Sequence, residues 1–222
     1  MSRPHVTVVT CPVCGSEQQI TLWDSINSTL SPKLKRSLLK GEINVFRCLK
    51  CKKKTHIENN LLYNDMEAEF MIWLKYDDEG RGSSEDVQGE ALLQGLAHGY
   101  RLRVVSMPRQ LAEKILIFDH KLDDRIIEFL KVLIWKDYSK SDNAPENCLF
   151  YQRISKRLFG KKELIFAIFE ASGNLISCSI PWEDYLKATN IMHEYLNDDF
   201  SGGPRCLAVN RDYALQLGSR MM

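Results

Sequence analysis

The chain has 222 residues, 44% of them hydrophobic, with 30 Lys+Arg against 29 Asp+Glu and a formal net charge of +1. That apolar weight and near-neutral balance exclude a disordered polymer, and 12 Gly and 7 Pro exclude a collagen-like repeat. No apolar run reaches the roughly 18 residues of a membrane span, and the stretch before Cys11 is too short for a signal peptide, so a soluble cytoplasmic protein with no membrane partner is expected.

His5 to Val9 is short and rich in β-branched residues, a strand feeding Cys11-Pro12-Val13-Cys14-Gly15. Glu17 to Trp23 leaves as a second strand, with Ile20 and Leu22 alternating against Gln19 and Thr21, and Asp24 or Ser25 is placed to cap a helix. Ser31-Pro32-Lys33 starts a helix with Leu34, Leu38 and Leu39 as its stripe and Gly41 as its end. Ile43 to Cys48 and Lys54 to Glu58 flank the second Cys pair as strands, and Glu69 to Lys75 is a further strand. Asp77 to Asp86 is charged and rich in Gly and Ser, a linker or loop. A short helix is expected from Val87 to His98. A second starts at Pro108 with Leu111, Ile115 and Phe118 on one face. A third, opened by Asp123 and Asp124, is apolar on most sides and expected to be buried. Leu149–Lys156, Glu163–Glu170 and Leu175–Ile180 read as a meander, followed by a helix after Pro181 and a last one near Asp212 to Leu217. The fold class is α+β. It is divided into residues 1–76, a β module with an inserted helix, a linker at 77–86, and an α+β domain at 87–222. That last part is helical over about 87–138, with the meander and helices over about 149–222.

Four of the seven cysteines form two C-x-x-C pairs, Cys11/Cys14 and Cys48/Cys51, with 33 residues between them. A two-residue spacer lets a tight turn aim both sulfurs at one point, and two such turns present four thiolates, the donor set of structural zinc. Pro12 fixes φ at the entry of the first turn and Gly15 permits positive φ at its exit; the second pair, Cys48-Leu49-Lys50-Cys51-Lys52, has neither. A redox dithiol would need one C-x-x-C opening a helix after a strand, which fits two pairs less well. Cys148, Cys178 and Cys206 are scattered and read as core residues.

These residues resemble the CpXC-domain proteins of bacteria and archaea. The resemblance rests on CPVCG at the start, Trp23-Asp24-x-Ile26-Asn27, Leu38-Leu39-Lys40-Gly41-x-Ile43-Asn44 before the second pair, and Leu61-Leu62-Tyr63-Asn64-Asp65 after it. It spans about residues 6–76. Tyr100 to Trp135 and Val209-Asn210-Arg211-Asp212 resemble the segments that follow in that family. The family has Cys-Pro-x-Cys at both sites, whereas Leu49 stands at the second here. The resemblance implies one zinc ion on Cys11, Cys14, Cys48 and Cys51 and assigns no biochemical role.

Charge is segregated along the chain. Lys33, Lys35, Arg36, Lys40, Arg47, Lys50, Lys52, Lys53 and Lys54 stand against Glu42 alone, a net of +8, and residues 58–90 carry −8. A zinc–tetrathiolate centre is itself anionic, about −2, so basic neighbours are expected as counter-charge; the alternative is a phosphate-contact surface for nucleic acid. Walker, G-x-G-x-x-G, G-x-S-x-G and H-E-x-x-H motifs are absent. Asp119-His120 with Asp123-Asp124 is the densest acid–base cluster and reads as helix capping. His193-Glu194 has no second His at helical spacing, and His56 follows a ligand set already complete. The expected function is a non-enzymatic zinc-binding adaptor with a protein partner. A nucleic-acid-associated protein is the alternative, and an enzyme subunit the weaker one.

Overall fold

In the computed structural model, residues 1–76, 95, 98–138, 148–156, 160–170, 172–197 and 206–220 are described. The fold is α+β, with 34% helix and 36% strand. The chain forms two compact units, Met1–Ala112 and Glu113–Met222.

The first unit begins with a hairpin. β1 (Arg3–Thr10) and β2 (Glu17–Asn27) pair antiparallel from Thr10↔Glu17 outward, so the first Cys pair sits in the connecting loop. β2 does not stop at Trp23. Asp24 is not a helix cap: its carboxylate takes His5 Nδ1 at 2.9 Å, which holds the strand pair together past that point. α1 (Pro32–Leu39) follows, with Pro at its first turn, Leu38 buried, and Gly41 at φ +67° where the helix ends. β3 (Val45–Arg47) and β4 (Lys54–His56) form a second, shorter antiparallel hairpin whose loop holds the second Cys pair.

β5 (Leu61–Asp65) returns to the larger sheet parallel to β2, and β6 (Phe70–Leu74) pairs antiparallel with β5. β7 (Arg101–Val105) adds parallel to β6, giving the order β1-β2-β5-β6-β7 within this unit. β5 and β6 are buried on both faces, so Phe70, Ile72 and Leu74 and also Met71 face apolar neighbours, while Trp73 is half-buried under the Lys75 ammonium. The expected linker at 77–86 and most of the expected helix from Val87 to His98 lie outside the described residues.

Two polar side chains tie these elements. Asn44, at φ +54°, accepts the Trp23 N–H at 2.7 Å on its side-chain oxygen and donates to the Trp23 carbonyl at 3.0 Å. Its own carbonyl accepts the Ile57 N–H at 2.8 Å, so one residue joins the second hairpin to β2. Asp65 is buried and accepts from the Ser28 hydroxyl at 2.9 Å, the Ala68 N–H at 3.1 Å and Lys35 at 3.4 Å. It therefore fixes the exit of β2 and the β5–β6 turn.

In the second unit, helix α2 (Pro108–Asp119), which carries the boundary between units, leads to α3 (Asp124–Tyr138). A meander of β8 (Leu149–Lys156), β9 (Lys162–Phe169) and β10 (Leu175–Pro181) follows, in the order β10-β9-β8. α4 (Trp182–Asn197), β11 (Cys206–Leu207) and α5 (Arg211–Arg220) complete it. Ile126, Ile127 and Leu130 of α3 are buried, as are Leu164, Phe166, Met192 and Leu217. As expected, α3 is buried over most of its first nine residues, while Leu133 is 43% exposed. β10 is an edge strand, with Leu175 and Ile176 exposed and Cys178 only half-buried; Cys148 is buried, and the Cys206 side chain lies outside the described residues. Between the helices Lys114 pairs with Asp124 and Glu128, and Lys131 pairs with Glu113 and Glu128. Glu113 also accepts the Tyr151 N–H at 2.6 Å. Paired and hydrogen-bonded, these charges meet the condition for residing in an interior.

Candidate metal centre

The two cysteine loops are built alike although their sequences differ. In loop 11–16 the Gly15 N–H donates to the Cys11 carbonyl at 3.0 Å and the Cys11 N–H to Ser16 at 2.9 Å. In loop 48–53 the Lys52 N–H donates to the Cys48 carbonyl at 3.0 Å and the Cys48 N–H to Lys53 at 2.9 Å. Gly15 has φ +67° and Lys52 φ +62°, so the left-handed residue that the first loop obtains from glycine is supplied in the second by a lysine. The missing Pro and Gly of the second pair do not change the turn; they place a residue with a Cβ in a backbone region that costs about 1–2 kcal/mol.

The four Sγ atoms all lie within 4.8 Å of one another. The nearest pairs cross between loops, Cys11 with Cys51 and Cys14 with Cys48, each at 3.6 Å. That is far beyond a disulfide's length of about 2.05 Å, and all four are free thiols. Cys11 and Cys48 are buried with Phe46 at the base, packed by Val9, Ile20 and Ile57; Cys51 is exposed. Gln18 of β2 straddles the second loop, donating to the Arg47 carbonyl at 3.1 Å and accepting the Leu49 N–H at 2.9 Å.

Hydrogen bonds sort the thiols. The Cys51 N–H, 3.4 Å from Cys48 Sγ, and then the Ser16 hydroxyl at 3.2 Å outweigh burial and bring Cys48 down to about 5. The Ser16 hydroxyl, 3.2 Å from Cys14 Sγ, and the Ser16 N–H bring Cys14 below the ordinary thiol value. Cys51 is drawn down by the Lys53 N–H, but desolvation and the Cys11, Cys48 and Cys14 thiols prevail and push it to about 11. Hydrogen bonding thus favours the thiolate at Cys48, while desolvation and the neighbouring thiols oppose it at Cys51. Ser16, which touches a sulfur of each loop, was not singled out from the sequence. Its only signal is its place directly after CPVCG.

The other candidates are scattered. His56 lies on β4 opposite Val45, outside the thiol group. His120 Nδ1 meets the Tyr151 hydroxyl at 2.8 Å, Asp123 binds Arg125 at 2.6 Å, and Asp124 binds Lys114 at 3.1 Å, so that acid–base cluster is dispersed among structural partners. Asp119 and His193 are exposed on α2 and α4. Of the basic residues, Lys33, Lys35 and Arg36 lie on α1 and Lys40 caps it, while Arg47, Lys50, Lys52, Lys53 and Lys54 are exposed on the second hairpin. Among the described residues no helix is long and apolar enough to cross a membrane.

Paired hairpins that converge four cysteine sulfurs, set into an α+β unit, define a protein with a four-cysteine cluster of metal-ligand spacing. The family described as "CpXC protein" matches residues 9–131, more than half of the chain, and the chain belongs to that family. The match runs from the end of β1 into α3 and so includes both cysteine loops. Comparisons with curated proteins and with solved structures give no match.

Proposed function

We propose that the protein is a non-enzymatic zinc-binding interaction module, with one zinc ion held by Cys11, Cys14, Cys48 and Cys51 in a structural site of zinc-ribbon type. The observation that carries this is the spacing of the sulfurs. Four ligands about 2.3 Å from zinc stand about 3.8 Å apart, and the cross-loop pairs stand at 3.6 Å before any ion is placed. Thiolate donors select zinc over hard cations. Four of them complete a tetrahedral shell and leave no position for a reacting water, which supports a structural rather than a hydrolytic role. Bound zinc supplies on the order of 10 kcal/mol of folding energy, and it would act where, among the described residues, the apolar support comes from Val9, Ile20, Phe46 and Ile57. Free thiols so placed fit a reducing compartment, the cytoplasm. Elemental analysis of protein purified without added metal tests the reading, with about one zinc per chain expected. Cys11→Ser and Cys48→Ser should each abolish zinc retention. A folded protein with four titratable thiols and no metal overturns it.

A further inference from the structure

We infer that the β3–β4 hairpin is a contact surface for the phosphate backbone of double-stranded nucleic acid. Arg47, Lys50, Lys52, Lys53 and Lys54 are all exposed, and residues 47–54 contain no acid. Among the described residues none of the five pairs with a carboxylate; of the basic segment only Lys35 does, with Asp65. Counter-charge for the metal centre does not account for them, because a zinc–tetrathiolate of about −2 needs two cations, not five. Their arrangement is also costly to the fold. Arg47 and Lys54 are direct cross-strand partners, and like charges so placed destabilise a ladder. A surface that holds five uncompensated cations on one small hairpin, at a cost in stability, fits an anionic partner.

The chemistry favours phosphate over acidic protein. Four of the five are lysines, which suit phosphate as point charges, whereas protein interfaces are depleted in Lys and anchored by aromatic residues. Phe46 of the hairpin is fully buried, and its loop exposes only Leu49 as a large apolar side chain. The one exposed ring of the hairpin, the His56 imidazole, lies opposite Val45 at its open end, away from the loop lysines, so the surface suits a duplex rather than a single strand, which needs successive rings for its bases. The inference rests on the proposed zinc site to the extent that the metal holds the loop.

The test is fluorescence anisotropy of the zinc-loaded full chain with DNA and RNA duplexes of about 20 base pairs, the matching single strands, and poly-glutamate, after zinc content is measured for each protein. Five phosphate contacts give a slope of log affinity against log salt of about −4.5, or about 500-fold weaker binding between about 50 and 200 mM salt. The Lys50→Gln/Lys53→Gln/Lys54→Gln triple variant should keep its zinc and reduce the slope by about 2.7. Lys156→Gln/Lys161→Gln, in the other unit, should leave the slope as it is. Comparable affinity for both duplexes supports the inference. Tighter binding to single strands or poly-glutamate, salt-resistant binding, or an unchanged slope in the triple variant overturns it. Absence of zinc would overturn the metal reading alone, because the salt slope of the same full chain still reports on the surface.

Discussion

Replacing Asn44 tests how the second hairpin is held to the sheet. In Asn44→Ala the Trp23 N–H loses its acceptor at 2.7 Å, and the residue opposite Trp23 on β1 is Pro4, which cannot compensate as a donor to the Trp23 carbonyl. That carbonyl keeps Asn59 Nδ2 at 3.0 Å, so the N–H is the group left most exposed to loss. An orphaned, partly buried N–H costs about 1–3 kcal/mol and the second hydrogen bond about 1 more. Alanine at φ +54° adds about 1 kcal/mol that asparagine, tolerant of this region, largely avoids. The sum is about 3–5 kcal/mol, a large part of the 5–15 kcal/mol by which domains are stable. Asn44→Gly removes the same side chain without the backbone penalty and should fall somewhat short of the alanine effect, after the greater freedom of glycine in the unfolded chain is set against the relief. The assay is urea unfolding at fixed free zinc, followed by the fluorescence of half-buried Trp23. A loss under about 1 kcal/mol for alanine, or a glycine variant no better than alanine, refutes the reasoning.

Three further outcomes follow from the same geometry. Lys52→Gly relieves a left-handed lysine at φ +62° and should stabilise the zinc-loaded protein by about 0.5–1 kcal/mol in the same assay, after the greater freedom of glycine in the unfolded chain is set against the gain; destabilisation contradicts the equivalence of the two loops. Phe46→Ala empties the floor beneath Cys11 and Cys48 and should cost about 3–5 kcal/mol while hastening zinc transfer to a chelator; an unchanged transfer rate contradicts its supporting role. Burial alone would lower Lys131, but Glu113 and Glu128 outweigh it and hold the ammonium above its ordinary value. A raised folded value places its stabilising contribution below the unfolded pKa of about 10.4 and removes it only as pH rises through the folded value. The cost of Lys131→Met, about 3–5 kcal/mol for a buried Glu113 that loses its paired cation while Glu128 keeps Lys114, should therefore be the same at pH 7 and pH 10 by chemical unfolding. A cost already shrinking by pH 10 means a lowered Lys131.

What was legible in the sequence is what local chemistry encodes. The C-x-x-C spacing named the four sulfurs, Pro32 and Gly41 bounded α1, and the turns at Gly160 and Gly173 marked the meander. Two strands escaped for nameable reasons. β7 reads Arg101-Leu102-Arg103-Val104-Val105, where two arginines mask a buried strand; Arg103 is itself buried, donating to the Leu102 carbonyl at 2.7 Å. β5 stood out in the sequence as a family signature rather than as a strand, because its partners are fixed by non-local pairing to β2 and β6. At the site, the turn at Lys52 was illegible because lysine carries no signature of positive φ. The role of Ser16 was illegible because a single hydroxyl beside a cysteine has no pattern until both loops are in place. The half-burial of Cys178 on edge strand β10 was hidden for the converse reason, since a lone cysteine in an apolar stretch reads as a core residue.

The most direct measurement of the central claim is X-ray absorption at the zinc edge on the purified full chain. The account predicts a single shell of four sulfurs at about 2.3 Å and no nitrogen or oxygen ligand. A shell containing nitrogen or oxygen, or one with fewer than four sulfurs, would contradict a closed site formed by Cys11, Cys14, Cys48 and Cys51.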